Sequence, residues 1–243
     1  MADSRITFRR YDSAAQVATA TVQQILAAAE YAIQRHGHFS VVIAGGRTPL
    51  EVYRLLATHD ADWERWQLFC GDERCLPVDH PERNSLAVSE ILLDRVPIPA
   101  VHWHPIPAER GAEMAAAQYD VLIRSQLPFD LVLLGMGEDG HTASLFPGHP
   151  VPHDALVIPI HQAPKPPSER VSLTPKALAA SHAMLILVTG SGKREALAQW
   201  RRGVTLPVAV VAAAGQQVEV LMDGEAADEI STQTESRCQP DTH

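Results

Sequence analysis

Cysteine is scarce in this sequence, and long apolar segments are lacking. The three cysteines, Cys70, Cys75 and Cys238, form no C-x-x-C pair and no evident disulfide framework, which is typical of a protein from a reducing compartment. The N-terminal segment lacks the uninterrupted apolar core of a signal peptide. No segment approaches the roughly 20 apolar residues of a membrane span. We therefore expect a cytoplasmic protein without a membrane partner.

Positive charge is also in short supply. The 20 lysines and arginines are outnumbered by 29 aspartates and glutamates, which gives a formal net charge of −9. Proteins that bind nucleic acid generally need a basic surface, so we expect no nucleic-acid partner. A small anionic ligand is compatible with this composition, because its binding depends on the charge around one site rather than on the net charge.

Common metal-binding and nucleophile patterns are missing as well. The 12 histidines form no H-E-x-x-H motif, and His149 and His153 are separated by prolines, so they do not share a helix face. Ser144 lacks the G-x-S-x-G setting of a serine hydrolase. The sequence therefore predicts neither a metal site nor a serine nucleophile.

What the sequence does contain is a regular alternation of apolar and helical segments. Helical spacing predicts a helix over residues 13–35 that ends at Gly37. TPLEVYRLLATH is predicted as the next helix, with Thr48 as N-cap and Pro49 at its first position. The other predicted segments are FSVVIAGG, WQLFCGDER, 84–95, 109–126, FDLVLLG, AMLILVTGSGKREALAQW, LPVAVVAA and VEVLMD. This alternation predicts an α/β fold, with a mainly parallel sheet and helices on both faces.

A single domain over residues 1–230 accounts for this pattern. The proline-rich segment 147–167 is predicted as a surface excursion rather than a linker, because strands and helices resume beyond it. Residues 231–243, STQTESRCQPDTH, are polar and are predicted to be a disordered tail.

Four of the apolar segments end in unusual polar sequence, namely AGGRTP, GDER, GMGEDGH and TGSGK. In open parallel sheets, ligands bind outside the carboxyl ends of the strands. We therefore expect these four segments to face one crevice, which is the candidate functional site.

Two of the segments favour a phosphate. Gly45 and Gly46 directly precede a helix start, where free N–H groups and the helix dipole suit an anion. The Arg47 guanidinium and the Thr48 hydroxyl add donors. In TGSGK, Lys193 follows a glycine turn and can reach the same anion. An ordinary βα turn and a surface lysine are the competing interpretations.

Further charged candidates lie in the excursion and in GDER. Arg170, and less clearly Lys165, can bind the same anion. In GDER, the carboxylates of Asp72 and Glu73 can serve as bases or hold sugar hydroxyls, and Arg74 offers a planar set of donors to an anion. A surface ion-pair cluster is the alternative explanation of GDER.

The segment GMGEDGH fits two different functions. Its glycines match the G-x-G-x-x-G spacing of a dinucleotide site, but that fold needs a long helix after the glycines, and Pro147 arrives too early. His141 instead follows the glycine turn, with Asp139 two residues before it. Histidine transfers protons near neutral pH, and a carboxylate can fix its tautomer. We therefore favour a catalytic His141 over a nicotinamide or flavin site.

Taken together, these segments are similar to a known family. GMGEDGHTASLFPG, VVIAGGRTPLEVYRLL, GDERCLPVDHPERN and PKPPSERVSLT resemble the 6-phosphogluconolactonases of the pentose phosphate pathway, over about residues 5–225. The resemblance implies a three-layer α/β/α fold with a Rossmann-like sheet of the sugar-phosphate isomerase type. It also implies hydrolysis of 6-phospho-D-glucono-1,5-lactone to 6-phosphogluconate, with neither metal nor organic cofactor.

The resemblance assigns catalytic roles to the polar strand ends. His141 would deprotonate a water that attacks the lactone carbonyl, with Asp139 or Asp72 orienting it. Backbone N–H groups of the 135–140 turn, or Arg74, would stabilise the negative oxygen of the tetrahedral intermediate. The sequence does not choose between these alternatives.

A second group of residues would hold the substrate phosphate. The resemblance places it at Gly46, Arg47 and Thr48, with Arg170 and Lys193 closing over it. Many family members have serine where this chain has Arg47, so a guanidinium replaces or supplements a hydroxyl contact there. They also read S-N where this chain reads R-N at 83–84, so only the asparagine carries over.

Two other functions stay open at this point. Glucosamine-6-phosphate deaminases of the same superfamily typically continue D-G-H with I-A-F-N-E-P, whereas this chain has T-A-S-L-F-P-G and lacks their acidic residue. A deaminase or isomerase would use Asp72 as its base, with His141 assisting ring opening. A catalytically silent sensor would bind the sugar phosphate without turnover. We expect a monomer or a weak homo-oligomer.

Overall fold

The computed structural model describes residues 5–152 and 154–227. The predicted tail at 231–243, Cys238 and the two ends of the predicted domain lie outside the described residues.

Strands and helices alternate through the described part of the chain. The strands are β1 (Ile6–Tyr11), β2 (Phe39–Ile43), β3 (Trp66–Cys70), β4 (Asp72–Arg74), β5 (Trp103–His104), β6 (Phe129–Gly135), β7 (Val157–Ile160), β8 (Arg170–Leu173), β9 (Ser181–Val188) and β10 (Val218–Asp223). The α-helices are α1 (Ala14–His36), α2 (Arg47–Leu56), α3 (Asn84–Val88), α4 (Ala112–Arg124), α5 (Pro175–Ala179), α6 (Arg194–Arg201), α7 (Pro207–Ala214) and α8 (Gly224–Ala227). A π-helical turn at Ser89–Leu93 continues α3.

Seven of these strands form the central sheet, in the order β1-β10-β9-β6-β2-β3-β5. Every neighbouring pair in it is parallel, which confirms the predicted parallel α/β architecture. A second sheet, which was not predicted, has the order β4-β8-β7 and is antiparallel.

The central sheet is buried on both faces, and β2 shows how. Val41 and Ile43 belong to the apolar core that the sheet forms with α1 and α2, whereas Val42 belongs to the core on the opposite face, with α4 and the second sheet. Parallel sheets require helices on both faces because their connections cross over the sheet. The three layers of the predicted α/β/α fold follow from this arrangement.

The predicted end of α1 agrees with the structure, whereas the predicted start of α2 does not. As predicted, α1 ends at Gly37, which has a φ of 89°, and the Ser13 side chain caps its start. The predicted N-cap of α2 is wrong. Gly46, with a φ of 97°, is the N-cap, because that backbone conformation favours glycine and starts the helix earlier. The Thr48 hydroxyl instead lies 2.5 Å from the hydroxyl of Thr189.

The prediction for segment 147–167 is also partly wrong. It contains β7, whose Val157, Ile158 and Ile160 side chains are buried, because β7 pairs with β8 and packs in the core. The strands β1 and β5 were missed. In the described ranges, no helix has both the length and the apolar character that crossing a membrane requires.

Candidate active site

A cavity of about 470 Å³ opens at the carboxyl ends of the central strands, beyond β2, β6 and β9. The four polar segments predicted to face one crevice all contribute to its lining, GDER through β4, and Arg170 of β8 adds to them. The predicted site residues that line the cavity are Gly45, Gly46, Arg47, Thr48, Asp72, Arg74, His141, Arg170 and Lys193. Asp139 lies behind the lining, in contact with His141.

A larger groove, of about 710 Å³, lies between α1 and the central sheet, toward the amino ends of β6 and β9. Four of its lining side chains form two pairs: Arg9 with Glu219 at 2.6 Å and His36 with Asp130 at 2.9 Å. The smaller cavity has four lysine or arginine side chains in its lining, Arg47, Arg74, Arg170 and Lys193, and is the better candidate for an anionic ligand.

The side chains of His141 and Asp139 form one hydrogen-bonded pair. Nδ1 of His141 bonds to a carboxylate oxygen of Asp139, and the His141 backbone N–H donates to the same oxygen at 3.3 Å. Burial lowers the pKa of His141 below its ordinary value of 6.5, and Asp139 counteracts only part of this effect. The neutral imidazole therefore carries its proton on Nδ1, which leaves the lone pair on Nε2 for a water molecule.

The glycines of GMGEDGH build the turn that presents His141. A Cβ at Gly137 would lie 2.0 Å from the imidazole, so only glycine leaves room for the ring. The Gly137 N–H donates to the His141 carbonyl at 2.7 Å, and the Gly140 N–H donates to the Gly137 carbonyl at 3.1 Å. These two N–H groups are therefore engaged within the turn. Residues 136–152, which the structure describes, contain no helix of the kind a dinucleotide site needs.

Asp72 lies on another wall of the cavity and has different partners. Its carboxylate accepts hydrogen bonds from the Ser144 hydroxyl at 2.6 Å and from the Asn84 side-chain amide at 3.2 Å. Burial raises the pKa of Asp72, while the bond from Ser144 acts in the opposite direction. Of the two carboxylates considered for orienting His141, only Asp139 makes a hydrogen bond to its imidazole among the described residues.

The interpretation of GDER as a surface ion-pair cluster is wrong. Glu73 is 0% exposed and points away from the cavity, because consecutive side chains of a strand face opposite sides. It accepts backbone N–H groups of Asn84 and Ser85 at the start of α3, and it forms an ion pair with buried Arg83 at 3.1 Å. Glu73 therefore holds Asn84 in place instead of facing a ligand.

Asn84 explains why residue 45, which lines the site, is a glycine. A Cβ on Gly45 would lie 2.0 Å from the Asn84 side-chain oxygen. The close approach of the two segments therefore depends on the missing side chain.

The remaining wall of the cavity is basic. Arg47, Lys193 and Arg170 line it together with the start of α2, and burial lowers the pKa of Lys193. The Arg170 guanidinium also donates to the carbonyls of Lys165, Pro166 and Pro167 at 3.0–3.1 Å. Arg170 thus fixes the preceding loop in addition to lining the cavity, whereas Lys165 is not part of the lining.

Three lining or supporting residues were not singled out from the sequence as ligand-site residues. Thr189 and Glu138 line the cavity, and Ser144 is the donor to Asp72. Thr189 directly follows β9, so the rule on the carboxyl ends of strands could have found it. Ser144 is fully buried, and only the fold reveals its partner. No three His, Cys, Asp or Glu residues within residues 5–152 and 154–227 are grouped to hold a metal ion.

Comparison with known proteins identifies the family. The family model described as glucosamine-6-phosphate isomerases/6-phosphogluconolactonase matches residues 12–220. The chain belongs to this family. Within it, the 6-phosphogluconolactonase of Mycobacterium leprae is 36% identical over 230 residues, which cover 86% of this chain and 90% of the relative. The resemblance stated from the motifs is thereby confirmed.

Solved structures of the family share the fold. The 6-phosphogluconolactonase of Thermotoga maritima superposes with a TM-score of 0.83 at 32% identity, covering 90% of this chain and 99% of that one. A monomeric glucosamine-6-phosphate deaminase superposes with a TM-score of 0.79 at 19% identity, and this similarity concerns the fold alone. The three-layer α/β/α architecture is therefore confirmed.

Proposed function

We propose that this protein hydrolyses 6-phospho-D-glucono-1,5-lactone to 6-phospho-D-gluconate in the oxidative pentose phosphate pathway, without a metal or organic cofactor. The observation that carries the proposal is the His141–Asp139 pair beside a cavity that Arg47, Arg170 and Lys193 also line. The relatives named 6-phosphogluconolactonase support the same substrate class. A cytoplasmic location and a monomeric or weakly associating state stay predictions.

His141 acts as the general base in the proposed reaction. Its Nε2 takes a proton from a water molecule while the water oxygen bonds to the lactone carbonyl carbon. The bond between Asp139 and Nδ1 fixes the tautomer and stabilises the imidazolium that forms. When the bond from this carbon to the ring oxygen breaks, the imidazolium returns the proton to that oxygen. Base and acid are thus the same side chain.

Arg74 is the proposed donor to the negative oxygen of the intermediate. The alternative donors are the backbone N–H groups of the 135–140 turn, and two of these, those of Gly137 and Gly140, are already bonded within the turn. The Nη1 of Arg74 donates to the Glu82 carbonyl at 2.5 Å, which anchors the guanidinium at the cavity wall. A cation placed before the reaction stabilises charge that develops in the transition state.

The basic wall is the proposed phosphate site. The N–H groups of Gly46, Arg47 and Thr48 lie at the start of α2, where the helix dipole favours an anion. Lys193 and Arg170 line the same cavity. This local positive charge explains how a chain with a net charge of −9 can capture a phosphate ester.

A lactonase assay tests the proposal. Glucose-6-phosphate dehydrogenase generates the lactone in situ, and the decay of the lactone is compared with its spontaneous rate. We expect His141→Ala to lower the enzymatic rate by roughly 100- to 10,000-fold without unfolding the protein. His182→Ala is the matched control, because His182 is exposed at the amino end of β9 and should leave the rate unchanged.

The same preparations distinguish the alternatives. A wild-type protein that never exceeds the spontaneous rate contradicts the proposed function, and full activity of His141→Ala contradicts the mechanism. Release of ammonia from glucosamine 6-phosphate would support the deaminase instead. Binding of 6-phosphogluconate without turnover of the lactone would support the sensor.

A further inference from the structure

The chain after His141 turns into the protein and buries a hydroxyl beneath the cavity. Ala143 has a φ of 48°, a left-handed conformation that is uncommon for a residue with a side chain. Beyond this reversal, Ser144 is 0% exposed. Its backbone N–H donates to the Ser172 hydroxyl at 3.2 Å, and its own hydroxyl donates to Asp72 at 2.6 Å. The loop that carries the proposed base is therefore attached to β4 and β8.

Asp72 keeps acceptor capacity that the protein does not use. A carboxylate offers about four lone-pair sites. Ser144 occupies one on Oδ2, and the Asn84 amide occupies one on Oδ1. The carboxylate nevertheless lines the cavity, so its remaining lone pairs are available to a donor there. The hydroxyl groups of a sugar lactone are donors of this kind.

We propose that Ser144 is a positioning residue, whose hydroxyl fixes the Asp72 carboxylate in the orientation that accepts a hydrogen bond from a hydroxyl group of the sugar lactone. This inference rests on the proposed function. Ser144 itself does not touch the substrate. Because it lies three residues after His141 on the same loop, it also sets the distance between the base and the carboxylate that holds the sugar.

Asp72 sits among several charged groups. Glu73 and Arg74 follow it on β4. Arg170, which pairs with Arg74 on the neighbouring β8, and His141 are close enough for their charges to interact with that of Asp72. Substitution of Ser144 leaves all of these in place. A change in the pH profile that follows the substitution therefore comes from the lost hydrogen bond or from a shift of the loop, and the double-mutant cycle below separates the two.

A double-mutant cycle tests this inference. We expect Ser144→Ala to lower kcat/KM by roughly 10- to 100-fold, as for the loss of a hydrogen bond to a charged group. The bond from Ser144 lowers the pKa of Asp72, so the part of the acidic limb that Asp72 controls should move to higher pH. In an Asp72→Asn background, the same substitution should change kcat/KM less than about 2-fold, because Ser144 acts through Asp72. Ser144→Cys, which is nearly the same size but a weak donor, should behave like Ser144→Ala.

The chain contains a matched control. Ser40 is also buried and donates to a buried carboxylate, that of Asp130, at 2.9 Å, but at the amino end of the sheet. Ser40→Ala should lower stability and leave kcat, KM and the pH profile unchanged.

The outcomes separate this inference from the proposed function. An inactive wild-type protein overturns the proposed function. An active wild type with Ser144 variants of equal activity overturns the inference. The same loss from Ser144→Ala in both backgrounds also overturns it, because the serine would then only anchor the loop. Ser144→Cys provides the measurement if Ser144→Ala fails to fold.

Discussion

Glu73→Gln should destabilise the protein strongly, although Glu73 touches no ligand. Each carboxylate oxygen of Glu73 faces two N–H donors. One oxygen accepts from the backbone N–H groups of Arg74 and Asn84. The other accepts from the Ser85 N–H and pairs with the Arg83 guanidinium. The NH₂ group of glutamine would face two of these donors in either orientation. The substitution therefore removes a buried charge and places the NH₂ group of glutamine against other N–H donors.

The expected loss follows from the burial of the pair. The side chains of Glu73 and Arg83 are 0% and 3% exposed and lie 3.1 Å apart. Breaking such a buried pair costs about 3–5 kcal/mol of unfolding free energy, and the Tm should fall by roughly 6–20 °C. We expect the lower part of this range, because Arg83 keeps a second carboxylate partner, Glu109, at 3.2 Å.

Glu109→Gln provides the comparison. The Glu109 side chain is 32% exposed and pairs with the same arginine. Solvent screens exposed pairs, so its loss should cost about 1 kcal/mol or less. Urea unfolding followed by tryptophan fluorescence gives both values. Equal losses for the two variants, or a loss below about 1 kcal/mol for Glu73→Gln, would refute the idea that burial of the ion pair determines its contribution.

Three further predictions concern the cavity. Asp139→Asn should lower kcat roughly 100-fold or more. It should also move the acidic limb of kcat/KM to lower pH, because the carboxylate that raises the pKa of His141 is lost. A limb that moves to higher pH in a pH–rate series would contradict the proposed His141–Asp139 pair. Gly45→Ala should raise KM, and it should lower the free energy of unfolding by about 1–3 kcal/mol, because the alanine Cβ would displace Asn84. Unchanged kinetics and an unchanged urea midpoint would contradict the close approach of Gly45 and Asn84. Lys193→Met should raise KM roughly 10- to 100-fold with little change in kcat; steady-state kinetics in which only kcat falls would remove the lysine from the phosphate site.

Five of the seven strands of the central sheet could be predicted, all except β1 and β5, because their signals are local. FSVVI is a short apolar run bounded by glycines, and both of its faces are buried in the fold. The second sheet could not be predicted in this way. β4 is three residues long and pairs with β8, about a hundred residues later in the chain. β7 contains Pro159, which argues against a strand in sequence and is tolerated here because β7 is an edge strand.

The location of the candidate site could be predicted from the sequence, but the orientation of its carboxylates could not. Parallel strands bring their carboxyl ends to one edge, which predicts the common location of Gly45, His141 and Lys193. The sequence could not show which carboxylate of GDER faces the cavity, because that depends on GDER forming a strand. Once β4 is known, alternation places Asp72 and Arg74 on one side and Glu73 on the other.

The second sheet also determines how the site responds to mutation. His141 extends from the central sheet after β6, whereas Asp72, Arg74 and Arg170 belong to β4 and β8. Ser144 connects the two groups through its bonds to Asp72 and Ser172. A substitution that shifts β4 or β8 is therefore expected to change the distance between base and carboxylate.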